Sequence, residues 1–143
     1  MLLLAALCAG SASAIGPRAV AKFVAQPNTT QASAASGEAD VYDNGNASDR
    51  VTLYFSGLVP DGYYSVFSKR SGDDTLVPLD GSGDRISFTS QSSGTGYIEV
   101  LTARKLASQD QIVLVYHSDG KDYGVSTGPI GVTAYALLVA VLQ

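Results

Sequence analysis

The sequence predicts an all-β protein: a single antiparallel Greek-key β-sandwich of about seven to eight strands, preceded by a hydrophobic signal-like segment. Three observations lead there. Short runs of β-branched and aromatic residues alternate with polar ones at period two, as in Val51–Ser56 and Tyr63–Phe67. Clusters of Gly, Asp, Asn and Ser separate such runs at intervals of roughly 8–12 residues. No stretch carries a sustained helical apolar period, and only Leu101–Leu106 could hold a turn of helix.

Taken in order, the apolar run Met1–Cys8 and the following Ala12-Ser13-Ala14 have the h-region and small-residue cleavage site of a secretory signal. No Lys or Arg precedes that run. Removal of 1–14 would leave one domain over 15–143, with one core and no place for a second. Ala19–Ala25 supplies a first strand. Residues 26–38 are small and polar and read as an exposed flexible connector to the rest. Further strands follow at Ala39–Tyr42, Val51–Ser56, Tyr63–Phe67, Arg85–Ser90, Gly96–Leu101 and Gln111–His117. The last, Val132–Leu142, is Val-rich and too short for a membrane-spanning helix, which needs about 20 residues, so it reads as a buried strand. Turns are expected at Asp43–Asn46, Ser71–Asp74, Asp80–Asp84, Ser92–Gly94 and Ser118–Gly120.

Composition narrows the function. The chain has 9 Lys+Arg against 13 Asp+Glu, a net charge of −4. That balance argues against a nucleic-acid or anionic-membrane partner. A hydrophobic content of 45% and 8 Tyr argue against disorder. The single Cys, Cys8, lies in the signal-like segment, so the mature domain would have no disulfide. Sequons at Asn28 and Asn46 suit glycosylation of an exported surface. The expected location is secreted, at the cell surface or outside the cell.

Two segments carry a family resemblance. Gly57–Phe67 resembles the Gly-Leu-x-Pro-x-Gly strand–turn–strand of secreted archaeal and bacterial β-sandwich proteins, and Ile112–Gly124 resembles their late strand and His-Ser-Asp-Gly loop. Those proteins look distantly like Cu/Zn superoxide dismutases and chordin-type (CHRD) domains. The resemblance implies the sandwich scaffold over roughly 19–142 without the chemistry. Only His117 aligns with a dismutase copper ligand. By that resemblance Tyr64 and Val66, or their neighbours, stand where the copper-ligand pair would be, and 68–84 contains no His. One imidazole does not make a redox copper site.

The candidate sites each have two readings. His117 is either an isolated metal ligand or a hydrogen-bonding residue that fixes the following Asp-Gly turn. Asp40, Asp43, Asn46 and Asp49, with Asn44, place oxygen-bearing side chains close together around Gly45. They are either part of a Ca²⁺ site or Asx-turn formers. No nucleophile elbow, paired Glu or phosphate loop is present, so no enzyme is expected. Tyr54 and Tyr97, among other strand Tyr, could form an aromatic surface for sugar or a partner, or pack at the sandwich edges. The leading expectation is a non-enzymatic structural or interaction protein that associates with itself or with other cell-surface proteins. Its sharper form is an extracellular filament subunit assembled by strand donation, with Ala19, Val20, Phe23 and Val24 in the assembly strand. The alternative is a Cu- or Ca-binding, degenerate dismutase-like domain without redox activity.

Overall fold

Alternating side chains fold here as strands whose inward members meet in one core. The computed structural model describes residues 16–26, 34–45, 47–81, 86–118 and 134–143; the signal-like segment 1–14 and residues 119–133 are among those outside them. Nine strands run in chain order: β1 (Ala19–Ala25), β2 (Ser36–Asp43), β3 (Asp49–Ser56), β4 (Tyr63–Lys69), β5 (Leu76–Pro78), β6 (Ile86–Thr89), β7 (Gly96–Leu101), β8 (Gln111–His117) and β9 (Ala134–Val141). The protein is all-β: there is no helix among the described residues, and 101–106 holds none.

Every pairing is antiparallel, and the strands form one path, β5-β4-β8-β9-β1-β2-β3-β7, with β6 paired to Tyr63–Val66 on the same edge of β4 whose Phe67–Lys69 pair with β5. The path curls so that β6 returns towards β7. Rings then cross the interior in a ladder: Phe23–Phe55 at 5.0 Å, Phe55–Phe88 at 5.7 Å, Phe88–Tyr64 at 5.5 Å and Tyr64–Tyr116 at 5.0 Å. These five residues come from β1, β3, β6, β4 and β8, so the ladder ties the two halves of the curled sheet together. Val41, Val51, Leu53, Val66, Ile112 and Leu114 fill the space around it, all fully buried. β8 is buried on both faces, because its other side holds Val113 and Val115 with Phe67 in a second apolar cluster. That explains its unbroken apolar run.

Two features differ from the sequence reading. The connector is shorter than 26–38, because Ser36–Glu38 pair with Ser56–Tyr54 as the start of β2. Gly37, inside the segment read as connector, is required in the strand: a Cβ there would lie 2.5 Å from the Phe55 ring that covers it. β5 was not expected. It is a three-residue edge strand against Phe67–Lys69, and Pro78, which cannot donate to a ladder, sits tolerably at an edge.

Gly57 turns the chain out of β3 with φ of 66°, and a Cβ on it would stand 1.9 Å from the Ala34 carbonyl oxygen. Gly57→Ala should cost more than the about 1–2 kcal/mol of a left-handed backbone alone. Gly45→Ala is the control, since Gly45 has φ of 90° and open space around it. Thermal unfolding of both variants checks this, with the larger loss expected at Gly57.

Candidate functional site

The strand singled out for assembly is amphipathic as written. Ala21 and Phe23 point inward and are buried, while Val20 and Val24 are 48% and 65% exposed. β1 lies inside the sheet and pairs on both sides. Ala19–Phe23 match Val41–Gly37 of β2, and Phe23–Ala25 match Ala140–Leu138 of β9. The ladder continues past its ends, with Arg18 N–H donating to Val41 O at 2.7 Å and Gln26 N–H to Leu137 O at 3.0 Å. Residues 26–35 then separate β1 from its neighbour β2. Two adjacent antiparallel strands need only about two to five residues between them.

Just before β1 stands a residue that the sequence reading did not single out. Arg18 donates from Nε to Asp49 Oδ1 at 2.9 Å, from Nη2 to Asp49 Oδ2, and from Nη2 to Leu106 O at 2.8 Å. Asp49 is wholly buried at the start of β3 and also accepts Leu106 N–H at 2.8 Å. Lys105 Nζ stands 3.7 Å from Asp49 and 2.6 Å from Asp43. Burial pushes the Asp49 carboxyl up, but the Arg18 hydrogen bond, the Leu106 N–H and the two cations together hold it below its ordinary value. The bond to Asp49 raises Arg18 in turn. β1 therefore enters its slot with two attachments of its own: a bidentate arginine on a buried carboxylate and the Phe23 ring on Phe55.

The other predicted residues are placed as follows. Asp43 and Asp49 come together at this pole, but with Arg18 and Lys105 between them rather than open to a cation. Asp43 Oδ1 accepts the Gly45 N–H at 2.8 Å, the bond of an Asx turn, and the Lys105 hydrogen bond chiefly lowers its pKa. Asp40 lies in β2 opposite Val20 and Thr52. Asn46, like Asn28, is outside the described residues, so neither sequon has a described environment. No group of three or more His, Cys, Asp or Glu suited to a metal occurs among the described residues.

His117 is at the far end of the strands. It pairs with Ala134, which is six steps along β9 from Ala140, the residue that pairs with Phe23 of β1. At strand rise that is roughly 20 Å. His117 Nε2 lies 2.7 Å from Ser65 Oγ, which is 3.2 Å from Ser87 Oγ, and Tyr63 packs its ring 5.3 Å from the imidazole. Ser65 has no exposed surface and His117 only 2%. A serine beside a histidine has the composition of a nucleophile and base, but a wholly buried Oγ offers a substrate no access in this conformation. The pair instead satisfies polar groups buried on the outer side of β4 and β8.

Tyr54 and Tyr97 pack on each other at 5.2 Å on the outer face of β3 and β7, about half exposed. Arg50 bridges this face, 4.5 Å over the Tyr42 ring and 3.3 Å from Glu99. The chain matches no family model and no curated protein.

Proposed function

We propose that this chain is an exported, non-enzymatic structural subunit of the cell surface or extracellular space, whose copies associate by exchanging β1. The observation that carries the reading is the contrast between β1 and its tether. The strand occupies an interior slot with neighbours on both sides, yet residues 26–35 join it to β2 where a tight turn would suffice. Ten extended residues reach up to about 33–36 Å, enough to place the strand in the same slot of an adjacent molecule. Everything the slot recognises travels with the strand: Arg18 for Asp49, Ala21 and Phe23 for the core, and backbone groups for β2 and β9. Exchange of an identical element re-forms the same contacts between molecules, so it costs little. The apolar stretch before Ala14 supports export.

Deleting residues 28–33 tests this. The four residues left between Ala25 and Ser36 make an ordinary hairpin length, so β1 returns to its own sheet without loop strain. Light scattering and negative-stain microscopy should then find monomers where the full connector gives oligomers or fibres. Equal assembly with the short connector would sink the proposal.

A further inference from the structure

A cavity of about 430 Å³ lies between the β4–β5 edge and the β7–β8 connection, away from the β1 slot. Its apolar wall comes from Val77, Pro78 and Leu79, and Arg70 and Arg104 line its polar side. This combination of an apolar body and a few converging polar groups is the usual make-up of a small-molecule site.

The hydrogen-bond capacity around the cavity is lopsided. Asp110 Oδ2 is taken by Arg104 Nη1 at 2.6 Å and by Ala107 N–H at 2.9 Å, and its Oδ1 accepts Ser71 N–H at 3.2 Å. Asp73 accepts Thr75 N–H at 2.8 Å, and Asp74 pairs with Lys69 at 2.8 Å. Both oxygens of Asp110, the buried acceptor, are thus engaged, while a buried donor remains. Arg104 Nη2 is buried with no partner, although Nη1 is doubly used by Asp110 and Lys105 O. Arg70 engages no carboxylate at ion-pair distance among the described residues. A buried donor without an acceptor is costly, so an arriving acceptor gains more here than on an open surface.

The geometry points to a binding site for a small organic monocarboxylate, with Arg70 and Arg104 receiving the carboxylate and Val77, Pro78 and Leu79 receiving its apolar body. Two features set the charge class. The unspent groups are cationic donors, which select an anion over a neutral amide. Asp73 and Asp110 stand close enough to disfavour a dianion, so inorganic phosphate is a poor match. The site uses no residue of β1, and it touches the β1 attachment only through Leu106, which also accepts from Arg18.

Benzoate is the probe, titrated into the purified chain and followed by amide chemical shifts, with benzamide and inorganic phosphate as comparisons. Saturable shifts at Thr75–Leu79 and Ala103–Leu106 are expected with benzoate. Affinity should fall at least about tenfold with benzamide, with phosphate and in Arg70→Gln. Arg70 is exposed, so that variant should keep the wild-type circular dichroism and thermal midpoint. Absence of saturable benzoate shifts up to about 10 mM would overturn the assignment. So would equal binding of benzamide, or undiminished binding by folded Arg70→Gln.

Discussion

Asp49→Ala should destabilise the domain by about 3–5 kcal/mol, the largest loss expected from a single polar substitution. Asp49 is wholly buried, and its carboxylate answers Arg18, the Leu106 N–H and, at longer range, Lys105. Alanine leaves the buried Leu106 N–H and the partly exposed Arg18 guanidinium without their acceptor, and the stranded buried donor carries the larger share of the cost. Replacing both members, as in Arg18→Met with Asp49→Leu, should recover much of the loss, because a well-packed apolar pair avoids the stranded charge. The same group sets the acid limit. The folded-state pKa of Asp49 lies below its ordinary value, and so does that of Asp110, where Ala107 N–H and Arg104 outweigh the upward push of burial. Groups depressed in this way stabilise the fold above the unfolded carboxylate pKa of about 4 and lose that contribution as pH falls through the folded value. Thermal midpoints measured from pH 7 to pH 2 should therefore drop below about pH 4, and Asp49→Asn should show a shallower drop from a lower plateau.

Phe23→Ala should cost about 3–5 kcal/mol, as is usual for truncating a buried aromatic. The Phe23 ring begins the interior ladder at Phe55 and is the largest side chain that β1 contributes to the core. Its loss leaves a void beside Phe55 that the flanking backbone pairing to β2 and β9 holds open. Val24→Ala, one residue on but exposed, should change stability by less than about 0.5 kcal/mol. The contrast bears on function as well as stability. If β1 is the exchanged element, Phe23→Ala weakens assembly in step with its effect on the fold. A chain beginning at Gln26 should then be unstable alone and regain its thermal transition when a synthetic peptide of residues 16–26 is added. Failure of that peptide to raise the midpoint would argue that β1 is not separable from its own sheet.

Much of this architecture was legible because period two and turn chemistry act locally. Seven of the strands follow from alternation between Gly, Asp and Asn clusters, and β9 follows from its Val-rich run. β5 was not legible, since three residues ending in Pro carry no periodicity and are held only by Phe67–Lys69 across the ladder. The first part of β2 was masked by Gly37, whose lack of a side chain is explained only by the Phe55 ring lying over it. At the candidate site, Asp43 and Asp49 were read together either as part of a Ca²⁺ site or as Asx-turn formers, and Asp43 does make the Asx-turn bond to Gly45 N–H. The cations that meet them are Arg18 and Lys105, distant in sequence by 31 and by 56–62 residues from these carboxylates. A usable signal was present: Asp49 is in phase with Val51, Leu53 and Phe55, so alternation alone places a carboxylate on the core face, where it requires a partner. Ser65 beside His117 gave no such sign, because adjacency of β4 and β8 depends on a crossover that no local pattern encodes.

Strand exchange is tested most directly by asking whether β1 of one molecule pairs with β2 of another. Lys22 and Glu38 are partners across β1 and β2 and stand on the outer face. In a Cys8→Ser background, chains carrying Lys22→Cys are mixed with chains carrying Glu38→Cys, unfolded, refolded together at high concentration and oxidised. Lys22→Cys chains oxidised alone set the background of chance disulfides. Exchange of β1 predicts disulfide-linked heterodimers well above that background, retained within any oligomers or fibres. Heterodimers no more frequent than background, with the Lys22→Cys/Glu38→Cys double variant closing its disulfide within one chain, would show β1 staying in its own sheet and would contradict the proposal.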